Sequence, residues 1–154
     1  MKIHLATDHA GFALKEDIKK FLQENGHKVT DHGALEYNKQ DDYPDFIFPA
    51  ARAVAKDPDS FGIIMGGSGQ GEAMAANRVT GVRAAVYYGE LEEIVILSRK
   101  HNNANILSLG ARFLTFSKAI YIIDLWLKEP FEGGRHQNRI QKLDCEKDSI
   151  ENII

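Results

Sequence analysis

Four glycines fall within six positions in Gly66-Gly67-Ser68-Gly69-Gln70-Gly71, and a carboxylate follows at once in Glu72. The run comes directly after the apolar stretch Ser60–Met65 and before an Ala/Met-rich segment ending at Asn77, which places it between a strand and a helix. Backbone N–H groups gathered there can cradle an anion, helped by the dipole of the following helix. The familiar nucleotide motifs do not fit. In a dinucleotide fingerprint starting at Gly67, Glu72 stands where the third glycine belongs, and a phosphate loop would need Lys after Gly71. A fixed carboxylate beside N–H donors instead suits removal of a proton next to a carbonyl, because the donors can hold the resulting enediolate oxygen. The same residues would also serve as a tight turn before a helix that Glu72 caps.

Other chemistry-bearing residues lie in neighbouring loops. Asp8-His9, at the end of the first apolar run, could hold substrate hydroxyls or form a turn in which Asp8 caps the next helix. His101-Asn102-Asn103 gathers an imidazole and two amides, although a lone histidine is more often structural. Arg135 and Arg139 are four apart and would share a helix face. With Arg112 they could clamp a phosphate from one sheet edge, or simply face solvent. The histidines at 4, 27, 32 and 136 lack metal-ligand spacing, and Cys145 is the only cysteine. An internal disulfide and a multi-cysteine zinc site are therefore excluded, and neither a metal nor an organic cofactor is expected.

Positioning these loops requires a regular scaffold. Strands are expected at Lys2–Ala6, His27–Asp31, Ser60–Met65, Val82–Tyr87 and Asn105–Leu109. Helices alternate with them: one carries Phe12, Ile18, Phe21 and Leu22 and ends at Asn25-Gly26, and one runs from Pro44 to about Lys56. A third ends at Asn77, a fourth covers about Glu90–Arg99, and a fifth carries Phe116, Ala119, Ile120, Ile123 and Leu127. Residues 32–42 read as a polar loop. Short apolar strands alternating with helices predict an α/β fold, a five-stranded parallel sheet covered on both faces. Sites in such folds lie beyond the carboxyl ends of the strands. An extra C-terminal helix, about 134–151, carries Ile140, Leu143, Ile150 and Ile153 at near-helical spacing and is expected to pack on a second subunit.

The 154 residues fit one domain spanning 1–154, with 44% hydrophobic and 27% charged residues as in ordinary globular chains. A net charge of −3 gives no electrostatic case for nucleic acid. No run approaches the roughly 18 apolar residues of a membrane span, and the first residues lack a signal-peptide core. A cytoplasmic location is expected.

Taken in order, Thr7-Asp8-His9-Ala10-Gly11, Asp42-Tyr43-Pro44, Gly66 to Glu72, Ala75-Ala76-Asn77-Arg78, His101-Asn102-Asn103-Ala104-Asn105 and Gly133-Gly134-Arg135-His136-Gln137-Asn138-Arg139 closely resemble the ribose-5-phosphate isomerase B family, which includes the galactose-6-phosphate isomerase subunits. The likeness runs from Lys2 to about Leu143. It implies a Rossmann-like three-layer α/β/α sandwich, a sugar-phosphate substrate, and a homodimer or dimer of dimers with active sites at the subunit interface. It implies that Asp8, His9, Tyr43 and Asn102 contact substrate. Gly67, Ser68, Gly69, Gln70 and Gly71 would form the anion hole, Arg112, Arg135 and Arg139 would bind phosphate, and His101 would open the sugar ring. Many members of that family carry a cysteine base where this chain has Gly66. A second branch uses a glutamate at the position of Glu72, and this sequence resembles that branch.

Overall fold

The computed structural model describes the backbone of residues 1–151 and the side chains of residues 1–144. Ile150 and Cys145 belong to the last helix without a described side chain, and Ile153 lies outside the described residues. Five strands alternate with helices: β1 (Lys2–Thr7), α1 (Phe12–Glu24), β2 (Lys28–Asp31), α2 (Pro44–Lys56), β3 (Ser60–Gly66), α3 (Gln70–Asn77), β4 (Ala84–Tyr87), α4 (Glu93–Lys100), β5 (Ile106–Gly110), α5 (Phe116–Lys128) and α6 (Arg135–Glu151). All described strand pairs are parallel, in the order β2-β1-β3-β5-β4. This is the expected Rossmann-like α/β sheet.

The sequence forms these elements for local reasons. The α2 positions Ile47, Ala50, Ala51 and Val54 recur at one-turn spacing and are buried together, and Pro44 sits in the first turn, where its missing N–H costs no bond. Thr115 caps α5, its hydroxyl accepting the Lys118 N–H at 3.2 Å. Ala119, Ile122, Ile123 and Trp126 of α5 pack with Ile18 and Leu22 of α1 and Val95 of α4 on one sheet face. The opposite face is covered by Ile47 to Val54 of α2 and Ala75 and Ala76 of α3. Right-handed crossovers produce this division. Phe116, expected on the buried stripe of α5, is 39% exposed, so that stripe begins one turn later. Strand β4 starts at Ala84, and Val82 is buried in the loop before it.

Lys15 of α1 is fully buried. Its ammonium donates to both Asp31 oxygens at 2.8 and 2.7 Å and to the Ala34 carbonyl at 2.7 Å, fastening the end of β2 and the following loop to α1. Burial alone would raise the Asp31 carboxyl; hydrogen bonds from Lys15 and Lys19 outweigh it and hold Asp31 below the usual carboxylate range. Lys15→Met leaves a buried carboxylate short of its main partner. It should lower unfolding free energy by about 3 kcal/mol in urea titration. A loss under about 1 kcal/mol would show that Lys19 alone compensates the charge.

Candidate active site

Strand β1 is flanked by β2 on one side and β3 on the other, so the chain leaves it in opposite directions and a crevice opens at the carboxyl ends of β1 and β3. The register pairs Thr7 with Met65 and Gly66 with Gly110. Asp8 and the glycine loop therefore emerge side by side, with Arg112 close by on the far side. The loop after β5 is fastened to the glycine loop: Ala111 N–H donates to the Gly66 carbonyl at 2.8 Å and Arg112 N–H to the Gly67 carbonyl at 3.2 Å. Gly69 has φ 77°, in the left-handed region open to glycine, and its carbonyl accepts the Ser108 hydroxyl at 2.6 Å. A Cβ at Gly67 would stand 3.1 Å from the Arg112 guanidinium carbon, and one at Gly71 2.7 Å from the Tyr43 hydroxyl oxygen. The glycines thus let Arg112 and Tyr43 approach the loop backbone.

Glu72, in the first turn of α3, is 4% exposed. Burial pushes its carboxyl above the usual range and the Asp8 charge adds to this, while its own backbone N–H works against them. Asp8 is also buried and its Oδ1 accepts the Ala10 N–H at 2.9 Å. Asp8 thus caps the short 3-10 turn His9–Gly11 and not α1, which starts after Gly11 without a side-chain cap, and the same carboxylate still faces Glu72 electrostatically. A Cβ built on Gly66 would collide with the Glu72 carboxylate. The glutamate therefore fills the space a side chain at position 66 would need, so a cysteine at 66 and this placement of Glu72 exclude each other. Gly66→Ala should displace the carboxylate and lower kcat by at least about tenfold. Activity within twofold of the parent would mean Glu72 need not sit there.

His101, Asn102, Arg135 and Arg139 are not brought to this crevice. His101 follows the C-terminus of α4 and precedes β5, so it lies at the amino end of the sheet. Arg135 and Arg139 follow α5, which returns the chain to that same end. The expectation that the three arginines share one sheet edge is corrected. Only Arg112, placed directly after a strand, stands at the carboxyl edge.

At the amino edge a second cluster forms. The His101 and His136 rings stack at 4.3 Å with an interplanar angle of 11°. Their Nε2 atoms lie 3.9 and 3.7 Å from Glu132 Oε2, and an Arg139 nitrogen lies 3.4 Å from His136 Nδ1. Arg99 builds the underlying loop by donating to Asn103 Oδ1 at 2.9 Å, the Ala104 carbonyl at 2.7 Å and the Glu129 carbonyl at 3.2 Å. Sequence spacing gives neither His136 nor Glu132 a role; Glu132 lies in the irregular segment just before α6, and its separation of four residues from His136 is the only local signal that pairs them. His101, Glu132 and His136, and likewise Asp8, His9 and Asp41, offer ligand atoms within 4.8 Å of one another. For the first group, two nearly parallel, separated ring planes share no point where both lone pairs could meet one ion, so the rings would have to turn to chelate.

Residues 3–143 match the family described as Ribose/Galactose Isomerase. The chain belongs to this family. Among curated members, ribose-5-phosphate isomerase B of Mycolicibacterium paratuberculosis is 44% identical over 144 residues, covering 93% of this chain and 89% of the relative. The Mycoplasma genitalium ribose-5-phosphate isomerase B structure with bound ribulose-5-phosphate superposes with a TM-score of 0.90 at 44% identity, covering 96% of both chains. The Clostridium thermocellum ribose-5-phosphate isomerase B structure gives 0.90 at 42% identity, covering 97% of this chain and 99% of that one. The isomerase family fold is thus shared nearly end to end.

Proposed function

We propose that this chain interconverts ribose 5-phosphate and ribulose 5-phosphate, with Glu72 as the base. The observation that carries the reading is a buried, dipole-facing carboxylate beside the N–H groups of the glycine loop, in an isomerase-family chain. In the open-chain aldose, Glu72 takes the proton from C2. The electron pair forms the C1–C2 double bond and charge moves to O1, where the loop N–H groups between Gly67 and Gly71 receive it. The hydroxyl proton of O2 passes to O1, the C2 carbonyl forms, and protonated Glu72 delivers its proton to C1. No electrons leave the substrate, so the step calls for no redox cofactor.

Asp8, His9, Tyr43 and Asn102 are assigned to the sugar and phosphate oxygens, Ser68 and Gln70 to the loop cradle, Arg112, Arg135 and Arg139 to the phosphate, and His101 to ring opening. Within one chain these groups stand at opposite ends of the sheet, which supports a homodimer whose sites each take Glu72 from one subunit and His101 from the other. A groove of about 670 Å³ beside the glycine loop, lined by the exposed Tyr88, Leu91, Ile94 and Phe113, supports a second copy at this edge. No helix among the described residues is long and apolar enough to cross a membrane, and we assign the enzyme to the cytoplasm, as one acting on free sugar phosphates.

A coupled assay should give the highest kcat/KM with ribose 5-phosphate among ribose 5-phosphate, allose 6-phosphate, galactose 6-phosphate and tetrulose phosphates. A higher value for a hexose phosphate would reassign the substrate. No turnover on any of them would refute the isomerase reading.

A further inference from the structure

We infer that Asp41 is a positioning residue that fixes the His9 imidazole for the sugar phosphate, an assignment that rests on the isomerase reading above. Asp41 lies in the polar loop after β2, one residue before the Asp42-Tyr43-Pro44 segment that opens α2. Its Oδ1 accepts two hydrogen bonds from one residue: the His9 backbone N–H at 3.0 Å and His9 Nδ1 at 2.6 Å. A carboxylate can only accept, so Nδ1 carries the proton. The ring's remaining nitrogen, Nε2, is then the atom available to substrate.

The surroundings make this a built arrangement. The Asp41 side chain is only 8% exposed, and its second oxygen is buried with no hydrogen-bond partner among the described residues. A buried carboxylate oxygen without a partner carries a desolvation penalty, which solvation alone would avoid by turning the group outward. Asp41 instead stays turned in, held on the histidine. Tyr37 meets the His9 ring edge-on at 6.5 Å and 84°, and Phe12 meets Tyr37 in the same manner. The Asp8 carboxylate approaches Nδ1 only to 3.9 Å, so Asp41 is the partner that sets the ring. His9 itself keeps 26% of its side chain exposed at the carboxyl edge of β1.

With Nδ1–H donating to the Asp41 carboxylate, the ring orientation is fixed and Nε2 meets the substrate oxygens from a set direction. Asp41 therefore acts on substrate binding through His9 and touches no reacting atom. The test is a double-mutant cycle with Asp41→Asn and His9→Gln, measured as KM and kcat on ribose 5-phosphate. Asp41→Asn should raise KM about tenfold, the size of one charge-assisted hydrogen bond, and leave kcat within about threefold. In the His9→Gln background the same change should move KM by less than about twofold. An equal multiplicative effect in both backgrounds would overturn the inference. Nitrogen NMR of the His9 ring gives a readout independent of turnover: Nδ1 should carry the proton in the parent protein and lose that preference in Asp41→Leu, which has no acceptor for it. A ring protonated on Nε2 alone in the parent would also overturn it. Absence of isomerisation by the parent, with Nδ1 still protonated, would refute the isomerase reading and leave the Asp41–His9 pairing standing.

Discussion

Glu72→Gln is expected to lower kcat at least about a hundredfold while KM stays within about threefold. The amide keeps the shape of the side chain in a buried pocket and removes only its capacity to accept a proton. Loss of a general base costs about 10² to 10⁴ in rate, so a variant retaining a tenth of the parent kcat would remove Glu72 from that role. The pH dependence follows from the same environment. Burial first, and the Asp8 charge second, raise the Glu72 carboxyl above its ordinary range. The acid limb of kcat/KM should therefore lie above the usual carboxylate range, with activity lost as pH falls through it. The sign for stability is opposite. A carboxyl raised on folding favours the folded state most at pH below its unfolded value, and this contribution is lost as pH rises through the folded value. Glutamine carries no such penalty, so Glu72→Gln should melt at or above the parent temperature at neutral pH. A lower melting temperature together with lost activity would point to damaged packing.

Much of the scaffold is legible because its signals are local and strong. The run Ser60–Met65 is apolar on both sides of the strand, as a central parallel strand must be, and Gly69 sits where the backbone needs a positive φ. Glu72 stands out in the sequence because a carboxylate is the wrong residue for a nucleotide loop, and the structure places it buried beside the glycine loop. Gly66 was legible as a departure from the cysteine pattern, but its physical reason was not: only the folded chain shows the Glu72 carboxylate in the space a side chain there would take. The arginines were misplaced because helical spacing relates Arg135 to Arg139 without saying which end of the sheet α5 returns to. Asp41 was hidden in a stretch without periodicity, where nothing local distinguishes a carboxylate on a histidine from one in solvent.

The second large effect concerns the division of the site. Glu72 lies at the carboxyl end of β3 and His101 at the amino end of β5, so one chain cannot bring both to the same sugar. On the proposed assignment, Glu72→Gln and His101→Ala should each be nearly inactive alone, each lacking one assigned group at every site. In a mixed dimer, one site receives both substitutions and the other neither. Random exchange between equal amounts makes half of the dimers mixed, and one of two sites in each is intact, so about a quarter of parent activity should return. The decisive measurement is the activity of the two purified variants after mixing, with subunit exchange followed by mass spectrometry on the intact dimers. Recovery that rises with the mixed-dimer fraction toward about a quarter of the parent rate is the expected result. Complete exchange with no recovery would contradict an active site shared between two chains.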